Sequence, residues 1–392
     1  MAVRRTSEEE GSVSLLQFCA LTAILRLTVA APRETVWEID PHTAKKHEIV
    51  QRYFQAWLPI VASWAGRVLY IDGFAGPGKY KGGEDGSPLI VLKAARDHSH
   101  RPKGEVIFIF VEAHEDRFEH LQAVVNDVQA TLPKNFKVYC VRGRFNEQLQ
   151  SVFRDLDEQK KKIAPALVFV DPFGFSHTPF ATIARLLQNK SCEALITFMY
   201  EEINRFLGHP DHEGTYDELF GTAAWRRVLD VSNPDERRRQ IHDTYLAQLQ
   251  REAKFVRSFE MLNRGNRTDY FLFFASNNPR GLEKMKEAMW QVDKSGTFQF
   301  SDYTDERGIL TLFGNTPDYG LLKGLISERF KGQEVSIEAL GDFVVAETPF
   351  LRTHFKTQIL RPMEVANELT VTKAKLGRKR GTFPDGTAMR FN

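Results

Sequence analysis

Cysteine is scarce: Cys19, Cys140 and Cys192 are the three in a chain of 392 residues. They form no CxxC pair and no even set, which excludes a cysteine-only zinc site and a disulfide framework and favours a reducing, cytoplasmic setting. A G-x-S-x-G elbow is missing, which disfavours a Ser-His-Asp hydrolase. H-E-x-x-H is missing too. His114-Glu115-Asp116 and the stretch from His209 to Glu213 have no third ligand nearby, so no metal is expected. The glycines after Asp72 do not form a phosphate cradle, because Lys79 is followed by Tyr80 rather than Ser or Thr. No apolar run of membrane length is free of charge, so no membrane partner is expected. The nearest, Val13 to Pro32, is interrupted by Gln17 and Arg26 and preceded by three acids between Ser7 and Glu10. It reads as a signal or anchor, as a helix packed on the body, or as an upstream extension without a role. Repeats and low-complexity tracts are also missing.

What is present is an ordinary globular balance, 42% hydrophobic and 27% charged, which excludes wholesale disorder. The length implies two or three units. The net charge of +2 is unevenly spread: from Leu351 to Asn392 there are nine Lys or Arg against three Asp or Glu, leaving about −4 on the preceding 350 residues. A basic tail on a slightly acidic body fits a polyanionic partner or a solvated chain end.

Arg67 to Ala75, Glu105 to Ala113, Phe136 to Gly143, Ala166 to Gly174 and Glu193 to Tyr200 are apolar runs without alternation. Such runs suit strands buried on both faces of a parallel sheet. His114 to Ala130 and Thr178 to Gln188 carry apolar stripes at helical spacing. The alternation predicts an α/β, doubly wound, Rossmann-like domain. Val256 to Leu262 and Thr268 to Ser276 read as a hairpin. Five parallel strands plus an antiparallel hairpin is the inventory of a class I methyltransferase sheet. Glu201 to Lys254 is polar and reads as helices forming a lid over the carboxyl edge. Tyr319 to Lys331, Ser336 to Phe350 and His354 to Lys373 read as short helical stretches, and Pro384 to Gly386 as the turn of a closing hairpin. That set fits a mostly helical, winged-helix-like module. The expected division is an extension over 1–36, an α/β domain over 37–300 with a helical insertion at about 201–254, and a basic module over 301–392.

Three strand ends carry the chemistry. Asp72 closes the first strand, followed by Gly73, Gly76 and Gly78. Glycines there let backbone approach the amino-acid and ribose parts of S-adenosylmethionine closely. Glu112 closes the second strand, where an acid accepts the ribose hydroxyls. It also stands among the N-terminal acids Glu115 and Asp116 of the next helix, which suit a solvated helix start. The fourth strand ends in Asp171-Pro172-Phe173-Gly174-Phe175. Amino-directed methyltransferases have [D/N]PP[Y/F/W] at this point: the acid and the next carbonyl accept hydrogens from an exocyclic amine, and the aromatic ring stacks on the base. Asp171 and Pro172 fit; Phe173 replaces the second proline, Gly174 takes the place of the aromatic and Phe175 lies one further on, which leaves Phe173 or Phe175 as the stacking ring. After the third strand, Phe145 and Asn146 stand where adenine would be stacked and bonded. The cluster Lys373, Lys375, Arg378, Lys379 and Arg380 would track phosphates on a wing, or meet an acidic face of a partner protein.

WEIDPHTAKKHEIVQRYFQAWL from Trp37, YIDGFAGPGKY, FVEAHEDRF, FVDPFGF, DELFGTAAW and DYFLFFASNNPRGLEKMKEAMW together resemble the three-Cys-motif partner protein family, TcmP. The resemblance runs from about Trp37 to the basic tail. It implies a methyltransferase-like fold and, as companion, a phage-type protein with a three-cysteine radical-adenosylmethionine-like motif. PHTAKKHEIV, Pro41 to Val50, ahead of the glycine loop is similar to the ribosomal RNA adenine-N6 methyltransferases of the large subunit. By that likeness Lys46 or His42 reaches the cofactor carboxylate or the target base. The expected activity is methyl transfer to a nucleic-acid base amine; the alternative is a catalytically idle scaffold for the companion.

Overall fold

The computed structural model describes residues 34–175, 178–293, 298–301 and 317–392. Cys19 and the Val13 to Pro32 run lie outside the described residues. The architecture is α/β, built on a mostly parallel eight-stranded sheet: β1 Arg67–Asp72, β2 Glu105–Glu112, β3 Phe136–Arg142, β4 Ala166–Val170, β5 Cys192–Phe198, β6 Phe255–Leu262, β7 Thr268–Ser276 and β8 Gln299–Ser301. Their spatial order is β3-β2-β1-β4-β5-β7-β6-β8. Only β7 runs against the others, pairing antiparallel with both β5 and β6. The expected strands and hairpin are all present, and β8 is an addition of three residues.

Every residue of β4 and β5 is buried, which explains their unbroken apolar runs: helices cover both faces. On one face lie α1 Pro41–Ala62, α2 Ser87–Asp97, α3 Glu115–Gln129 and α9 Pro279–Val292; on the other lie α4 Phe145–Glu158, α5 Phe180–Gln188 and α8 Pro234–Glu252. α1 begins on Pro41, whose fixed φ suits a first helical turn. It buries Ile49, Tyr53, Phe54, Trp57 and Leu58, a stripe worth roughly 1.5–3 kcal/mol for each large apolar side chain removed from water. That burial seats Lys46 and His47, one turn earlier, at the carboxyl edge of the sheet.

The insertion departs from the expected lid. Its first helices, α6 Tyr200–Phe206 and α7 Glu213–Phe220, do follow β5 at the carboxyl edge. α8, however, buries Ile241, Tyr245 and Leu249 in the same core cluster as Phe271, Phe273 and Ala275. Its apolar stripe makes it a layer of the sheet rather than a cap over the edge.

The C-terminal residues form helices Tyr319–Phe330, Ile337–Glu347 and Arg361–Val365, the last preceded by a π turn. Beside them is an antiparallel three-stranded sheet, ordered β10-β11-β9, from β9 Glu334–Ser336, β10 Leu369–Lys373 and β11 Ala388–Phe391. Leu369 to Lys373, expected as the end of a helical stretch, is a strand. Its alternating Leu369, Val371 pattern and β-branched threonines favour the pleat. Among the described residues no helix is long and apolar enough to cross a membrane.

Candidate functional site

The carboxyl ends of β1, β2 and β4 lie side by side, because β1 pairs in parallel with both neighbours. This adjacency brings Asp72, Glu112 and Asp171 to one edge. Asp72 is fully buried; its carboxylate accepts from Ser87 Oγ at 2.6 Å and from the Phe74 N–H at 3.2 Å. Burial outweighs these bonds and pushes its carboxyl up from 3.8 to about 7. Native Asp72 therefore holds a proton that the unfolded chain has lost between those values, and stability from this group falls as pH rises through that window. Asp72→Asn should remove this slope. Urea unfolding of both proteins between pH 4 and 8 is expected to show their difference changing by about 1.4 kcal/mol per pH unit at most; a pH-independent difference would refute the assignment.

The glycines after Asp72 have separate reasons. A Cβ on Gly73 would strike the Phe145 ring at 2.6 Å, and one on Gly78 would strike Val124 at 2.8 Å, so both serve close packing. Gly76 has a φ of +61°, and a Cβ there would meet nothing nearer than Trp37, at 3.8 Å. Gly76 is thus the glycine whose surroundings leave room for a ligand.

Lys46, from α1, reaches across to β4: its Nζ lies 2.6 Å from Asp171 Oδ1 and 4.9 Å from the Tyr270 ring centroid. The two side chains are 6% and 19% exposed, so the pair is largely out of water, where its attraction is strong and its rupture costly. Next to it, His47 is buried, and desolvation with the Lys46 charge lowers it to about 4. At neutral pH it is an uncharged imidazole whose Nδ1 has no hydrogen-bond partner among the described residues. His42, one turn earlier, pairs with Asp269 at 3.3 Å. Glu112 is buried, and its Oε1 accepts from the His114 N–H at 2.8 Å.

Trp37, which sequence reasoning missed, roofs the glycine loop. Trp37 meets Phe173 edge to face at 5.4 Å and Tyr80 at 5.9 Å. The Arg117 guanidinium lies 4.9 Å from the Trp37 ring and 5.5 Å from the Phe173 ring. Trp37 precedes α1 in an irregular segment held by the Lys81 N–H donating to its carbonyl at 2.8 Å. No periodic pattern marks such a residue; its only sequence signal is a tryptophan close to the Lys46-His47 pair.

Three expected site residues point elsewhere. Phe175 stacks on Tyr216 at 4.9 Å and is 3% exposed, so it is core under the insertion, whereas Phe173 lies against Trp37. Asn146 accepts from the Thr182 hydroxyl of α5, which commits its Oδ1 away from the loop. Phe145 is buried beneath Gly73 and beside Phe74, where it supports the loop from below. The thiols of Cys140 and Cys192 are pushed up by burial to about 11 and about 12, so neither is a thiolate at neutral pH.

In the basic tail the structure separates two kinds of cation. Arg378 meets both Glu364 carboxylate oxygens with one guanidinium nitrogen, Nη2, at 2.8 and 2.7 Å, and its Nε donates to the Thr382 carbonyl at 2.6 Å. Both charges are about one-tenth exposed. Arg378 is therefore a clamp between the last helix and the β10–β11 loop, not the surface cation expected of it. Arg380 donates to the Glu364 carbonyl at 2.9 Å yet remains exposed, as do Lys373, Lys375 and Lys379. Arg378→Ala should cost about 3–5 kcal/mol of stability, because the one-tenth-exposed Glu364 carboxylate loses its counter-charge and keeps the Gly381 N–H at 2.7 Å. Lys373, Lys375 and Lys379 changed together to Ala should leave the melting curve within ~0.5 kcal/mol. Denaturant titration of both variants checks the contrast, and equal stability would remove the clamp.

Among the described residues no group of three or more His, Cys, Asp or Glu side chains is placed to hold a metal ion. Two open grooves lie away from the glycine loop. One of about 1050 Å³ runs between α8 and β6, and one of about 1200 Å³ lies at the amino edge of the sheet. A scan against protein-family models and a search of curated proteins each found no match to this chain.

Proposed function

We propose that the chain is an S-adenosylmethionine-dependent methyltransferase of the class I type, acting on an exocyclic amine of a nucleic-acid base. The sheet order carries this reading: β3-β2-β1-β4-β5-β7-β6 with β7 alone reversed, and all three functional acids on the carboxyl edge, where open α/β sheets bind ligands. The residues at that edge suit the cofactor. Gly76 leaves space above the loop, buried Asp72 and Glu112 offer acceptors, and His47 Nδ1 and the Tyr70 hydroxyl are buried polar atoms without partners among the described residues. When bound, the cofactor supplies an electrophilic methyl group on a sulfonium. The protein's own task is positioning: Asp171 and the Pro172 carbonyl orient the amine, Phe173 stacks on the base, and neutral His47 stands near as an acceptor. In the C-terminal unit, helices followed by a hairpin beside a third strand form a winged-helix-like module. Its exposed Lys373, Lys375, Lys379 and Arg380 would track phosphates. The resemblance to three-Cys-motif partner proteins adds the radical-adenosylmethionine-like companion.

A second reading draws on one contact. Asp171 is already neutralised by Lys46, which suits a catalytically idle scaffold for that companion as well as a poised amine acceptor.

Gly76→Ala tests the cofactor site. Alanine at φ +61° carries about 1–2 kcal/mol of backbone strain but meets only Trp37. Gly332, with φ +69° and no neighbour within 4 Å of its Cβ, gives the matched control Gly332→Ala. Calorimetry should show S-adenosylmethionine affinity falling at least roughly tenfold, about 1.4 kcal/mol, in Gly76→Ala only. Equal affinity in both variants would displace the site from the glycine loop.

A further inference from the structure

We propose that the amino edge of the sheet, opposite the glycine loop, carries a second nucleic-acid surface: a stacking platform for single strands centred on Trp64. Trp64 follows the end of α1 and is 61% exposed, whereas Trp57 on the same helix is 3% exposed. Leu229, Leu321, Val365 and Leu376 are exposed as well, and a singly exposed apolar side chain needs no explanation. What sets Trp64 apart is that it is the aromatic ring of that set and that cations stand beside it.

Trp64 borders the groove of about 1200 Å³, and Lys161, Lys162 and Lys190 line the same groove. None of these three lysines has a carboxylate partner among the described residues; Lys190 donates to the Glu252 carbonyl at 3.4 Å. The two carboxylates in the groove are already engaged, Asp157 by Arg185 of the same groove. Buried Glu193 accepts from Tyr53 at 2.5 Å and Ser276 at 2.6 Å. The groove therefore presents net positive charge beside one exposed ring. Single-strand binders combine these two features: lysines follow the backbone while bases stack on an aromatic face, with little sequence preference.

The place of the surface also suits a single strand. The residues flank the amino ends of β4 and β5 and the carboxyl end of antiparallel β7. A strand held there leaves the carboxyl edge, with Asp171 and Gly76, free to take a base from elsewhere on the same molecule. The surface stands independently of the transfer chemistry.

Fluorescence anisotropy with a labelled oligo(dT) of roughly 12 nucleotides, without cofactor, tests it on the full chain. Trp64→Ala should weaken binding at least roughly fivefold, and Trp64→Phe should retain most of the affinity. Changing Lys161, Lys162 and Lys190 together to Ala should make the plot of log K against log salt shallower by about 2. The exposed positions leave folding intact, which thermal melting checks. No binding by the wild type, wild-type binding by both variants, or loss confined to a Lys375→Ala/Lys379→Ala variant of the wing would each overturn the proposal. So would Trp64-dependent binding of poly-L-glutamate in place of the oligonucleotide, which would assign the groove to an acidic polypeptide. Because no methyl donor is present, failure here leaves the methyltransferase reading untouched, and failure of that reading leaves this surface standing.

Discussion

Asp171→Asn is expected to lower methyl transfer at least tenfold while the protein stays folded and binds S-adenosylmethionine near normally. The choice of asparagine follows from the structure. Alanine would strand the Lys46 ammonium, which is 6% exposed and 2.6 Å from Asp171 Oδ1, and would cost about 3–5 kcal/mol in stability. A loss of turnover would then be confounded with a loss of fold. Asparagine keeps an oxygen facing Lys46 and the shape of the turn, but removes the charge that strengthens a bond to the target amine. Such a charge-assisted bond is worth roughly 1.5–3 kcal/mol, which is about one to two decades in rate. Single-turnover transfer, cofactor calorimetry and melting on one preparation separate the outcomes. An unchanged rate on a verified acceptor would remove Asp171 from the amine-binding role.

The second large effect is structural. Lys286 of α9 is fully buried and points its ammonium at the end of helix Ile337–Glu347. Its Nζ lies 3.1 Å from the Val344 carbonyl and 2.9 Å from those of Val345 and Thr348, and it also contacts the Phe350 carbonyl. A helix C-terminus leaves its last carbonyls without intrahelical partners and carries partial negative charge; a buried cation answers both. Trp290 Nε1 donates to the Pro349 carbonyl at 3.0 Å, and Arg257 donates to Ala346 at 3.1 Å. The main sheet and the C-terminal unit are joined by this polar contact as well as by a shared apolar cluster. Lys286→Met should cost at least about 3 kcal/mol, since it leaves several buried carbonyls unsatisfied. Denaturant unfolding should show the loss, with amide exchange quickened across Ile337–Glu347. An unchanged transition would mean that those carbonyls find other partners.

Much of the sheet was legible because parallel strands buried on both faces leave unbroken apolar runs, and each run stops where a polar strand end begins. Asp72, Glu112 and Asp171 were visible for that reason. The contacts that make these acids a site were not. Lys46 and Asp171 are 125 positions apart, and only the packing of α1 on the sheet brings them together. Arg378 was misread because a local run of cations does not reveal that Glu364, fourteen residues earlier, folds back onto one of them. Phe175 looked like a base-stacking ring until the insertion supplied Tyr216 as its partner. β8 and β9, each three residues long, are too short to carry a period. Lys286 reads in sequence as one more charge on an amphipathic helix, and nothing local shows that its face is buried.

Tritiated-methyl transfer by the wild-type chain decides whether the carboxyl edge of the sheet is a methyltransferase site. S-adenosylmethionine labelled in the methyl group is offered with RNA, with DNA, and with protein that co-purifies with the chain. Label is expected in nucleic acid, released on digestion as a base methylated at its exocyclic amine, and reduced at least roughly tenfold in Asp171→Asn. A folded chain that binds the cofactor yet labels none of the three, or that labels only protein, would contradict that assignment.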